Sequence, residues 1–410
     1  MQNEDYEDVC RWQLPVLRSL VKMPTLRHLQ IVLALDHDNT YKHWIRALEA
    51  MPHLESLSLK CEKSVNRWVI QRTVYLCHGL RCLSVRFMER LCSIQVRGRR
   101  EHRDVKAAIE TMPEMQLREL SFERPTMREE NIFQPLLERC PRLEKLDLNW
   151  THDGALLQHL VKTLKENKLP ALRHLRMAVR NGAELHNLLI EVLSHIACGL
   201  ESFDYGGDDG NLFAQPLIKH HSHSLTRLDL HRSWFQFRTF LDLMVGLPCL
   251  QTFTAMIFDG TSDGDNDIPL NRQWECLGLT SLQLNLNACI YYATYGNGRM
   301  ESEEKLALDH VFSEIAKLTS LRELRIRRNW MDLYDKSRGY LEQLAGLKQL
   351  EILELTNTKH NTLGKHEAQW MADNWPRLRQ IYEQHVPVAF KETLWKRRPL
   401  VEFVKDTSYN

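Results

Sequence analysis

Apolar residues recur along this 410-residue chain in one spacing: a leucine, a second three positions on, and a third two beyond that. Leu143-Glu-Lys-Leu146-Asp-Leu148 is the cleanest copy. Thirteen copies open at Leu26, Leu54, Leu80, Leu117, Leu143, Leu172, Leu200, Leu225, Leu250, Leu279, Leu321, Leu350 and Leu378. Most steps fall between 25 and 29 residues, and two longer ones mark insertions near 89–110 and 288–304. Alternate side chains of a strand point to opposite faces. The second and third positions of the frame therefore point inward together, and each copy predicts a short strand with one buried face. Phe203 and Tyr205 fill these places in the seventh copy and Met177 fills one in the sixth. The weakest copies carry Phe253 with Ala255, and Ile381 with Glu383.

Between frames the apolar period lengthens to that of a helix. Leu156, Leu157, Leu160, Val161 and Leu164 share one helical face behind a candidate N-cap, Asp153. Leu185, Leu188, Leu189, Val192, Leu193 and Ile196 repeat the pattern, as do Val311, Phe312, Ile315 and Leu318. Many units close with proline just ahead of the next frame, at Met23-Pro, Met51-Pro, Cys140-Pro, Leu169-Pro, Leu247-Pro and Trp375-Pro. Proline there disfavours helix in the residue before it and turns the chain toward the strand.

A strand and a helix cannot bury their apolar faces alone, so neighbouring units stack and share a core. A leucine frame with a period of 20–29 is the leucine-rich-repeat signature. The expected fold class is α/β: a leucine-rich-repeat solenoid, or horseshoe, of thirteen repeats with a parallel concave β-sheet and helices on the convex side. Residues 1–25 are expected to form an N-terminal capping helix, 26–390 the solenoid, and 391–410 a C-terminal tail.

Composition narrows the function classes. The 54 basic and 53 acidic side chains leave a formal charge of +1, which gives no footprint for nucleic acid or an anionic membrane. No apolar run approaches the length of a membrane span. The acidic start, Met-Gln-Asn-Glu-Asp-Tyr-Glu-Asp, lacks a signal-peptide core. Ten cysteines include no Cys-x-x-Cys pair, and Cys140, Cys198 and Cys249 stand just ahead of frame leucines. The expectation is reduced, buried thiols in the cytosol or nucleus.

The step length, the helical gaps and the Cys-Pro-x-Leu lead-in resemble the ribonuclease-inhibitor-like leucine-rich repeats. ERCPRLEKLDL (138–148) and KLTSLRELRI (317–326) are more narrowly similar to the repeat half of fungal F-box/leucine-rich-repeat proteins. That resemblance implies a substrate receptor of a cullin-type ubiquitin ligase, with a protein partner on the concave face and a cullin adaptor docked through an F-box. The first frame opens at Leu26, so no F-box is visible ahead of it. In this family an asparagine or cysteine three residues after the third leucine bonds backbone groups of neighbouring turns. Asn287 and Asn329 hold that place, with Thr151, Ser233 and Thr358 as substitutes. Two other readings keep the fold: an adaptor or inhibitor unrelated to ubiquitin, and a scaffold resembling the Ran GTPase-activating proteins. The latter carry an acidic tail, whereas this chain nears its end with basic Trp395-Lys-Arg-Arg-Pro399.

The residues between and just after the second and third leucines point out of the strand face. Asp147, Asp204 and Asp229 make the middle of that row acidic, with Arg176 interleaved and His231 beside them. Arg325 and Arg327 make the later part basic. These seven residues form the expected partner-binding site, oriented by the change of sign. Trp150, Trp234 and Trp330, past the strand ends, are rim candidates.

Other motifs lack what their chemistry needs. Asp259–Asp267 resembles a calcium loop, but Ile268 stands where glycine is required and Trp274 where the bidentate glutamate belongs. His220, His221 and His223 lack metal-site spacing, and Trp370 replaces the second histidine of a zinc-protease motif after His366-Glu367. The basic run Arg97–Arg103 is diluted by Glu101 and Asp104, and Tyr291–Glu304 is expected to be a loop at the solenoid edge. No phosphate loop or nucleophile elbow is present. The expectation is a non-catalytic protein with no cofactor and no metal.

Overall fold

Each proline-marked junction closes as a four-residue turn that delivers the first frame leucine. Leu26, Leu54, Leu143, Leu172, Leu250 and Leu378 donate their N–H to the carbonyls of Met23, Met51, Cys140, Leu169, Leu247 and Trp375. In every case proline is the second residue of the turn, where its fixed φ is already correct. The strand then begins two residues on. The computed structural model describes residues 13–33, 38–61, 72–73, 75–77, 79–87, 114–123, 133–151, 154–179, 183–207, 209–257, 272–286, 300–327, 340–356, 363–382 and 386–404.

The chain divides into two units, Met1–Leu200 and Glu201–Asn410. The first carries strands β1 His28–Leu33, β2 Ser56–Cys61, β3 Cys82–Phe87, β4 Glu119–Glu123, β5 Lys145–Thr151 and β6 His174–Val179. Each pairs in parallel with the next. The second carries β7 Ser202–Gly206, β8 Arg227–Phe235, β9 Thr252–Ile257, β10 Ser281–Asn285, β11 Glu323–Arg327, β12 Ile352–Thr356, β13 Gln380–Tyr382 and β14 Glu402–Val404. These also pair in parallel, in chain order. Both units are stacks of strand–helix repeats, the α/β leucine-rich-repeat type of solenoid.

The frame residues form the core. Leu146, Leu175, Leu228, Leu282 and Leu324 are at most 1% exposed. Burying such a side chain contributes roughly 1.5–3 kcal/mol, which is why the pattern survives so many loosened copies. Inward strand residues pack on the helices. Phe253 of β9 meets Phe240 of helix Phe237–Gly246 at 5.9 Å, and Tyr205 of β7 meets Phe213 at 4.5 Å. Trp274 extends the contact with an edge-on approach to Phe240, and Ala255, the small residue of the weakest internal frame, is buried. The helix over Gly154–Lys165 buries all five of the residues predicted from its period.

Several sequence expectations change. The stretch assigned to a tail starts inside a helix, Val388–Arg397, and leads to β14. Val401 donates to the carbonyl of Arg398 across Pro399, the same turn as at the other proline junctions. Valine at the frame position hid this fourteenth strand. Cys140 is buried, but Cys198 and Cys249 are exposed, because their thiols reach outward to the carbonyls of Leu172 and His223. Residues 13–20 are helical, with Leu17 and Leu20 buried. The insertion near 89–110, the calcium-like stretch, the basic run, Asn287, Asn329, Thr358 and Trp330 lie outside the described residues, as do Asp153 and the side chains of Trp150, Thr151 and Trp234. Of the expected loop Tyr291–Glu304, residues from Met300 onward are helix and the rest lie outside them too.

Candidate functional site

Strand register sets the site. In the first unit Gln30, Ser58, Ser84, Ser121, Asp147 and Arg176 are successive partners across β1–β6. In the second, Asp204, Asp229, Thr254, Gln283, Arg325, Glu354 and Tyr382 are successive partners across β7–β13. Because frame residues on the opposite face carry the helices, these two rows lie on the face of each sheet that the helices leave open. Adjacent side chains in a row stand about 4.8 Å apart.

Asp147 and Arg176 meet in the first unit at 3.8 Å. Burial raises the Asp147 carboxyl above its ordinary value, and Glu123 adds to that. Arg176, Ser121 and Lys145 oppose the rise without cancelling it. Its Oδ1 is buried without a hydrogen-bond partner. A carboxylate held in this way is costly to keep ionised.

Asp204, Asp229 and His231 come together in the second unit, each offering one donor atom within 4.8 Å of the others. That spacing suits a cation, but His231 Nδ1 and Asp229 Oδ1 already share a hydrogen bond of 2.7 Å. Arg227 also stands 3.9 Å from Asp229. Burial pushes the Asp229 carboxyl up, yet the hydrogen bonds and charge of His231, with Arg227, outweigh it and hold the group below its ordinary value.

His231 does not continue the second outward row as its spacing predicts. The register shifts after Leu230, so that Trp234 and not His231 lies opposite Met256. The extra residues His231–Ser233 form a bulge. Bulges of this kind re-aim side chains, and here His231 turns back onto Asp229. Ser233, at the base of the bulge, is buried; its hydroxyl donates to the Tyr205 carbonyl at 3.1 Å and accepts from Gly207 N–H at 3.3 Å. It performs the bridging expected of the family's asparagine.

Arg325 and Arg327 also sit on the open face, and each finds carboxylates. Arg327 grips Glu354 through Nε and Nη2, and Arg325 reaches the same group at 3.4 Å. Glu354 has no exposed surface. Arg325 also pairs with Glu323 and lies over the Tyr382 ring at 4.5 Å. Two arginines against two glutamates make this end of the row polar and charge-balanced, where the two arginines alone predicted a basic end. Glu354 and Tyr382 belong to the row that spacing identifies. Glu323 and Arg227 begin their strands, two residues ahead of the first outward row, which is why periodicity passed over them. Between the acidic and arginine ends, β8–β11 shape a depression of about 580 Å³ lined by Asp229, His231, Thr254, Gln283, Arg325 and Arg327 among others.

The remaining motif residues separate. His221 is buried while His220 and His223 are exposed. Glu367 accepts from Gly364 N–H and caps the helix Lys365–Asn374. No described helix is long and apolar enough to cross a membrane.

Solved structures similar to this chain include two of low sequence identity. A chain of the yeast Rad7 and Elc1 complex shares 14% identity, with a TM-score of 0.43 over 99% of this chain and 96% of that one. A Bacteroides fragilis protein shares 16% identity, with a TM-score of 0.35 over 65% of this chain and 75% of that one. No family model matches the sequence, and no curated protein matches it.

Proposed function

We propose that this leucine-rich-repeat-type chain is a non-catalytic recognition scaffold that seats another protein on the open faces of its sheets. The observation that carries the reading is the depression across β8–β11, with Asp229 and His231 at one end and Arg325 and Arg327 at the other. Its polar groups are held before any partner arrives. Asp229 is fixed by His231 and Arg227, and the arginines by Glu354, Glu323 and Tyr382. Side chains locked in place lose little freedom on binding, which favours affinity and selectivity over plain solvation. The floor between them, Thr254 and Gln283, is neutral and polar, so an extended partner segment finds hydrogen bonds along the row.

The finer reading is a substrate receptor of a cullin-type ubiquitin ligase. It rests on the resemblance of 138–148 and 317–326 to the repeat half of F-box proteins. An adaptor or inhibitor without a link to ubiquitin uses the same surface in the same way.

A photocrosslinking amino acid at Thr254 tests the scaffold reading in extract of the source cell. The expected result is a discrete crosslinked protein, lost when Asp229→Lys is added. Background labelling alone, or capture indifferent to Asp229→Lys, removes the site. Recovery of a cullin adaptor with the full-length gene product supports the ligase reading, and its absence removes that part only.

A further inference from the structure

The residue after the first frame leucine forms its own column at the strand starts of the first unit. It reads Arg27, Glu55, Arg81, Arg118, Glu144, Arg173. Backbone bonds lock this column in register: Glu55 N–H donates to Arg27 O, Arg81 to Glu55 O, Arg118 to Arg81 O and Glu144 to Arg118 O, at 2.7–2.8 Å. Neighbours in it are therefore one strand apart, about 4.8 Å. Glu55 lies between Arg27 and Arg81 and pairs with both, at 3.5 and 3.9 Å. Arg118 pairs with Glu144 at 3.4 Å. Between Arg81 and Arg118 no acid intervenes, and like charges set side by side on neighbouring strands destabilise a sheet. Arg142 adds a fourth guanidinium, which donates to the amide oxygen of Gln116. All four arginines line one depression of about 310 Å³, away from the rows of the open face.

We propose that this depression binds a phosphomonoester dianion. Among the described residues, the four lining arginines pair only with Glu55 and Glu144, an excess of two positive charges, and a phosphomonoester carries about −1.5 to −2 at neutral pH. A carboxylate neutralises only half of that excess. Guanidinium groups also present paired N–H donors matched to phosphate oxygens. The volume admits a phosphoryl group on a short stem, whether free phosphate or a phosphorylated side chain. The net charge of the chain is only +1, which disfavours a nucleic-acid backbone. The inference does not depend on the open-face reading.

Binding is measured on the full chain at pH 7.5 with inorganic phosphate, a degenerate peptide library centred on phosphoserine, the same library centred on glutamate, and a decathymidylate that has only internal diesters. Phosphate or phosphoserine peptides are expected to bind at least about tenfold more tightly than the glutamate library or the oligonucleotide, the ratio one lost charge-assisted contact gives. Affinity falls as the pH drops below about 6, where the second phosphate charge is lost. Arg81→Gln or Arg118→Gln weakens binding by a similar factor, and Glu55→Gln strengthens it, a gain that misfolding cannot imitate. Binding of phosphate alone identifies a small ligand; binding of the peptide alone identifies a modified protein. Equal binding of the glutamate library or the oligonucleotide, absence of phosphate-dependent binding, or no gain with Glu55→Gln overturns the proposal. Crosslinking at Thr254 in Arg118→Gln is unaffected either way, so the two readings fail separately.

Discussion

Asp147 and Asp229 occupy equivalent positions in their repeats, yet their carboxyl groups move in opposite directions. The difference is local. Asp229 has His231 turned back onto it, whereas Asp147 keeps a buried oxygen without a partner. For Asp147 the folded state holds the proton more tightly than the unfolded chain. Stability therefore falls as the pH rises above the ordinary value of 3.8, and the cost persists at neutral pH. Asp147→Asn is expected to raise stability at pH 7 by about 1 kcal/mol, the low end for an unsatisfied buried acceptor. The gain should vanish below about pH 3.8, where both states of the native residue are protonated. Urea unfolding of both proteins at pH 7 and pH 3 measures this. Equal gains at the two pH values contradict the assignment. Asp229 runs the other way: its contribution is present above the unfolded value and is lost as the pH falls through the depressed one.

At the scale of the element, the bulge in β8 decides the geometry of the acidic cluster. Ser233 anchors it from below with two hydrogen bonds into the preceding repeat. Ser233→Ala leaves the Tyr205 carbonyl and the Gly207 N–H without that partner in a buried place, at a cost of about 1–3 kcal/mol. Thermal unfolding measures the loss, and a change within error shows that the bulge is held by packing alone. The strands and turns were legible in the sequence because leucine spacing and proline position act within one repeat. The bulge was not, since three consecutive polar residues between Leu230 and Trp234 read as the ordinary end of a strand. The fourteenth strand was missed for a related reason: buried Val401 and half-buried Phe403, which packs on Phe390 and Trp395, stand in for its leucines, although Pro399 marked the turn.

At the scale of the molecule, each repeat contacts mainly its neighbours, so perturbations stay local. Hydrogen exchange in Ser233→Ala is expected to accelerate in β7 and β8 while β2–β4 keep their protection. Uniform acceleration across both units indicates one cooperative block instead. The same locality explains why charge on a repeat surface must be counted by ladder and not by chain. A net charge of +1 conceals a depression with four arginines in the first unit and an acidic cluster in the second.

The sequence alone determined the repeat, its parallel strands, the buried face and the outward row, because a frame of fixed period repeats the same burial in every unit. Only the tertiary structure decided which outward charges are answered. Glu354 meets Arg325 and Arg327 across one strand spacing, and His231 reaches Asp229 through a bulge. Arg81 lies beside Arg118 although 37 residues separate them in the chain. Charges interact over a few ångströms in space, and spacing along a chain fixes that distance only where the repeats stay in register.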